Sequence, residues 1–138
     1  MDIKELMVGD IVEYLDGDQP IPVVVVKIDG PSDVVCLKQK NGHKFNTTIE
    51  YLRPIPITKE FLEKNDFELN GNSYHFFDDD KPLEIFVFLK ENNYNGSYTY
   101  VDISRGCIDI TEMPMEYVHE LQNVLRLCKI ELTEITLP

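Results

Sequence analysis

Tyr51-Leu52-Arg53-Pro54-Ile55-Pro56-Ile57-Thr58 divides the chain. Proline lacks a backbone donor and biases the preceding residue toward extended geometry, so the stretch reads as a last edge strand leading into a helix. Ile55 and Ile57 alternate with Pro54 and Pro56, the pattern of a segment with one buried side. Thr58 stands where the N-cap of the following helix belongs. Pro54, Pro56 and Thr58 are therefore expected to form a hinge that holds two differently patterned halves in one orientation.

Upstream, Asp2 can cap a single helical turn, and Val8-Gly9-Asp10 turns the chain into a strand at Ile11 to Tyr14. Ile21 to Ile28, with four consecutive valines, reads as a strand buried on both faces. Val34 to Gln39 and His43 to Thr48 flank the hairpin signal Asn41-Gly42. Ile49 to Leu52 then makes one tight helical turn before the closing segment Arg53 to Ile57. Four short strands, a single-turn helix and a fifth strand resemble SH3-like barrels of the Tudor and KOW kind. The resemblance implies a small closed barrel, in some relatives with an aromatic cage for methylated side chains. Here Tyr14, Phe45 and Tyr51 are the aromatics on offer, and scattered aromatics are expected to be core.

Downstream, Thr58 to Asn65 predicts a short helix burying Phe61 and Leu62. Strands follow at Ser73 to Phe77, Leu83 to Lys90, Ser97 to Ile103 and Cys107 to Ile110, forming an antiparallel meander. Tyr98, Tyr100 and Asp102 alternate with Thr99, Val101 and Ile103, which marks one wet face. Met113-Pro114 is expected to stop the last of these strands. Met115 to Cys128 has helical spacing, with Val118, Leu121, Leu125 and Cys128 on an apolar stripe expected to lie across the meander, and His119, Gln122 and Arg126 largely elsewhere. Ile130 to Leu137 alternates, as a strand or a loose tail. The expected fold is α+β: an SH3-like barrel over residues 1–57, then a helix and an antiparallel sheet packed by a C-terminal helix over residues 58–138.

The chain has 138 residues and a formal charge of −12, enough for one core or two small lobes. Residues 1–57 carry 6 basic and 9 acidic side chains (−3); the remainder carry 7 and 16 (−9). A negative field repels phosphate backbones and anionic membrane surfaces, so neither nucleic acid nor membrane is an expected partner. Cys36, Cys107 and Cys128 are widely spaced, read as buried thiols, and form no zinc pattern. With no leader-like or membrane-spanning run, a reduced cytoplasm is the expected setting.

Chemistry is thinly represented. His75 with Asp78, Asp79 and Asp80 is the one cluster with metal-ligand residue types, but consecutive aspartates before Lys81-Pro82 fit a turn better. Cys107 after Arg105-Gly106 lacks a partner base at any family spacing, and His119 reads as a surface histidine. No phosphate-binding glycine motif occurs, and no cofactor is expected. Tyr94, Tyr98 and Tyr100 form a candidate protein-interaction surface, because tyrosine is enriched at interfaces.

Three motifs extend over the whole chain: Ile3-Lys4-Glu5-Leu6 with Val8-Gly9-Asp10, Leu52-Arg53-Pro54-Ile55-Pro56-Ile57-Thr58, and Tyr117-Val118-His119-Glu120-Leu121-Gln122-Asn123. In this order they resemble a group of small proteins from Bacteroides-type genomes and their phages or conjugative elements. The resemblance implies an accessory protein of a mobile element, with no assigned activity or partner. The leading expectation is a non-enzymatic interaction module; the alternatives are a small hydrolase or metal-dependent enzyme using His75 or His119, and an acidic nucleic-acid mimic that blocks a DNA-binding protein.

Overall fold

The computed structural model describes residues 1–17, 19–78, 83–92, 96, 98–105 and 108–127. The chain forms two units, one comprising Met1–Pro56 together with the segment from Tyr117, the other Ile57–Glu116. The second unit is thus an insertion in the first. That departs from the expected division at residue 57 into consecutive halves, because the C-terminal helix returns to the first unit.

In the first unit, the 3-10 turn Ile3–Glu5 is capped by Asp2, whose Oδ1 accepts from Lys4 N at 3.0 Å. Strands β1 (Ile11–Asp16), β2 (Gln19–Asp29), β3 (Val34–Lys38), β4 (Lys44–Thr48) and β5 (Leu52–Arg53) form one antiparallel sheet in the order β4-β3-β2-β1-β5. A second 3-10 turn, Ile49–Tyr51, precedes β5. The number and order of elements are as expected, but the sheet is open: β4 and β5 are its two edges. β5 has only two residues, and Pro54 and Pro56 beyond it have no N–H with which to extend a ladder. The valine run is buried on one face, not both. Val23 and Val25 are fully buried with Val12, Val35 and Leu37, whereas Val24 and Val26 are half-buried.

The helix α2 (Val118–Leu127) buries Val118, Leu121 and Leu125 as its spacing predicts. It belongs, however, to the first unit, whereas the meander forms the second, and it buries His119 and Gln122 as well. Polar groups hold it there. The Gln122 carboxamide accepts from Ile11 N at 2.9 Å and donates to Gly9 O at 3.1 Å, so it completes the backbone pairing where β1 begins. Arg126 donates to Asp10 Oδ1 at 2.8 Å, and the fully buried Asp10 also accepts from Met7 N through Oδ2 at 2.8 Å. Gly9 is required between them: its φ is +95°, and a Cβ there would lie 2.8 Å from Arg126 Nη2.

The proline stretch continues as a paired segment, but its partner is the chain returning toward α2. Ile55 O accepts from Val118 N at 2.8 Å, and Pro56 forms an isolated antiparallel bridge with Tyr117, both within the first unit. In the second unit, Ile57 N donates to Glu116 O at 2.8 Å. Ile55 and Ile57 are both buried, as their alternation predicts.

The second unit opens with α1 (Lys59–Lys64), whose N-cap is Thr58: its Oγ1 accepts from Phe61 N at 3.2 Å. Asn65 closes the helix by donating to Phe61 O at 2.7 Å. Strands β6 (Glu68–Asn70), β7 (Ser73–Asp78), β8 (Leu83–Phe88), β9 (Tyr100–Arg105) and β10 (Ile108–Pro114) form the expected antiparallel meander, in the order β10-β9-β8-β7-β6. Tyr74, Leu83, Ile85, Val87, Val101 and Ile103 line its buried face. β10 runs through Met113-Pro114 by means of a bulge after Ile110, with Glu112 at φ 50°. Pro114 is tolerated there because β10 is an edge strand. The segment Ile130 to Leu137 lies outside the described residues.

Replacing Gln122 by Leu keeps the apolar volume but orphans Ile11 N–H and Gly9 C=O. Each buried unsatisfied group costs on the order of 1 to 3 kcal/mol. Urea unfolding followed by circular dichroism should show a correspondingly lower midpoint, and a shift within about 0.5 kcal/mol, as for a neutral surface change, would contradict the clamp.

Candidate interaction face of the second sheet

Antiparallel register assigns every second residue of β6 to β9, and of β10 on either side of its bulge, to the face opposite the core. Directly opposed residues share a face, so Glu68, His75, Phe86 and Asp102 form one row across four strands. Phe77, Glu84, Ser104 and Asp109 form the next, and Phe88, Tyr100 and Pro114 a third. An antiparallel sheet face turned from its core is ordinarily polar. This one is rich in aromatic rings.

The rings are ordered against one another. His75 and Phe86 stack at 4.4 Å with 5° between planes, and Phe88 and Tyr100 at 4.6 Å with 14°. Tyr98 tilts toward Tyr100 at 5.9 Å, and Phe77 toward His75 at 6.3 Å. Phe77 is 53% exposed, while His75, Phe86, Phe88, Tyr98 and Tyr100 are half-buried. Each ring thus keeps part of its surface open, with its orientation limited by a neighbour.

Carboxylates interleave with the rings. Asp102 Oδ1 accepts from Glu112 N at 2.7 Å, which fixes that carboxylate beside Phe86. Glu84 Oε1 lies 4.0 Å from His75 Nε2. Burial first, then the nearby Asp102, Glu112 and Tyr98, pushes the Tyr100 phenol above its ordinary value, since each disfavours a phenolate. Tyr74 on the buried face is raised as well, by burial and then by Glu63 of α1.

Of the tyrosines read as an interaction surface, Tyr98 and Tyr100 do come together on this face; Tyr94 lies outside the described residues. The expected wet face is present, with Tyr100 and Asp102 half-exposed against buried Val101 and Ile103. Sequence reading missed Phe77, Phe86 and Phe88. The available signal was Leu83-Glu84-Ile85-Phe86-Val87-Phe88, a strand apolar on nearly every position although it lies in a meander with one wet face.

The other candidates are dispersed. Pro54 is half-buried, Pro56 is exposed, and Thr58 serves as the cap of α1. His119, expected at the surface, is buried beside Tyr117 at 6.1 Å, because α2 is covered on more than its apolar stripe. Nε2 of His75 and Nδ1 of His119 have no hydrogen-bond partner among the described residues. Cys36 is half-buried and free; Cys107, Cys128, Asp79 and Asp80 lie outside the described residues. Among the described residues no group of three or more His, Cys, Asp or Glu converges as metal ligands would.

Tyr14, Phe45 and Tyr51 are less scattered than expected. Tyr14 meets Phe45 edge-to-face at 4.8 Å and Tyr51 at 6.4 Å. Tyr14 and Phe45 also pack on the first unit's valine core, and of the three only Tyr51 is exposed.

No family model, curated protein or solved structure matches the chain. Among the described residues, no helix is long and apolar enough to cross a membrane.

Because the folded state raises the pKa of Tyr74 and Tyr100 above 10.0, each contributes stability that is complete below that value and lost as pH rises through the raised one. Tyrosinate absorbance should therefore develop in the native protein at higher pH than in the urea-unfolded chain, with Tyr100→Phe removing part of the late component. Coincident native and unfolded titrations would contradict the packing described.

Proposed function

We propose that the protein is a non-enzymatic interaction module that binds a partner protein through the aromatic and acidic outer face of the second sheet. The observation that carries this is the stacked pairs His75–Phe86 and Phe88–Tyr100, on a face where polar side chains would suffice for solubility. Pre-ordered aromatic rings lose little side-chain freedom on binding and give large contact area. The resemblance carried by the three motifs supports an accessory role for a phage or mobile element, acting in the cytoplasm. In this proposal the first unit, an antiparallel sheet in the order β4-β3-β2-β1-β5 with a 3-10 turn before β5, is an SH3-like scaffold into which Ile57–Glu116 is inserted.

Nucleic-acid mimicry is less well supported. A mimic needs carboxylates along one side, whereas Glu63 of α1 lies by Tyr74 of the buried face and Glu84 and Asp102 are on the outer face.

A photocrosslinking amino acid in place of Phe88, in the full chain expressed in its native host, should give a reproducible adduct with one host or element protein. The same probe in place of Gly30, an exposed turn position of the first unit, should not. Equal adducts from both positions, or none from Phe88, would remove the support for this face.

A further inference from the structure

We propose that the occupant of the outer face is an arginine-bearing segment of a partner protein, with guanidinium groups lying flat on the rings and pairing with Glu84 and Asp102. This rests on the interaction role just proposed and adds the chemistry of the partner.

Charge is the first argument. By register, the outer-face positions of β6 to β10 hold the carboxylates Glu68, Glu84, Asp102 and Asp109 and, among the described residues, no lysine or arginine. Among the described strand positions the face therefore carries carboxylates with no lysine or arginine beside them, and an opposing surface of positive charge completes it. The half of the chain containing it accounts for −9 of the −12 total, which speeds encounter with a basic partner.

Geometry supplies the second. His75 covers one side of the Phe86 ring, and the cross-strand neighbour on the other side is Asp102. A planar cation stacked on that other side of Phe86 meets a carboxylate already positioned through Oδ1 by the Glu112 amide and still able to accept. Flat delocalised guanidinium suits such a slot, because it stacks on an aromatic face and pairs with a carboxylate in its own plane. A lysine ammonium satisfies the carboxylate but gains less from the rings.

The test uses the full chain and two dye-labelled peptides, one with arginine at alternate positions and one with lysine instead, read by fluorescence anisotropy. The arginine peptide should bind about tenfold more tightly than the lysine peptide. Glu84→Gln with Asp102→Asn should weaken it by about tenfold, as should Phe86→Leu, which keeps the apolar bulk and removes the ring. Glu60→Gln on α1 should leave it unchanged, and far-ultraviolet circular dichroism of each variant checks the fold. Equal binding of both peptides, or equal loss from Glu60→Gln and the outer-face variants, would show only general attraction to an acidic protein and overturn the proposal. If Phe88 crosslinks a host protein but the arginine peptide does not bind, the interaction role stands and the cationic partner falls.

Discussion

A carboxylate without solvent must be paired, and Asp10 is fully buried. Its partners are the Met7 amide and Arg126, which lies 116 residues further along the chain. Gln122, one helical turn before Arg126, meets the Gly9 carbonyl and the Ile11 amide. The first strand of the first unit therefore begins correctly only when the last described helix is in place. The requirement is polar and directional, which distinguishes it from burial of Val118, Leu121 and Leu125 alone.

This constraint accounts for the path of the chain. With both ends of the first unit committed to each other, Ile57–Glu116 is tied at two points instead of following on as a second half. The outgoing and returning passages are joined by Ile55 to Val118, Pro56 to Tyr117 and Ile57 to Glu116. The three motifs spread along the sequence thereby meet: Val8-Gly9-Asp10 with Gln122 and the helix that continues to Arg126, and the proline stretch with Tyr117 and Val118. Proline suits this place because the bridge is made by its neighbours, Ile55 O and Ile57 N, so the pairing asks no N–H of Pro56 itself.

Local features were legible in the sequence. Asp2 and Thr58 as caps, the Asn41-Gly42 hairpin, the 3-10 turn before the prolines and the wet side of Tyr100 and Asp102 all follow from rules acting over a few residues. Partner choice was not legible. An amphipathic helix declares its apolar stripe but not the sheet it covers, and Gln122 and Arg126 look like solvent-facing residues until Gly9 and Asp10 are placed beside them. Closure of the first sheet depended on how far β5 extends, which the prolines end after two residues. Phe86 and Phe88 were hidden for the opposite reason: an apolar run is read as buried, and only register shows that alternate rings face away from the core.

The proposed function makes the second unit the working surface and the first its anchor. Everything in that arrangement depends on the first unit being completed from the far end of the chain. The most direct test is to delete the chain from Tyr117 onward and follow backbone amide exchange by NMR. Amides of β1 to β3 should lose protection while those of β7 to β9 keep it. Retained protection of β1 to β3 in the truncated chain would contradict the account.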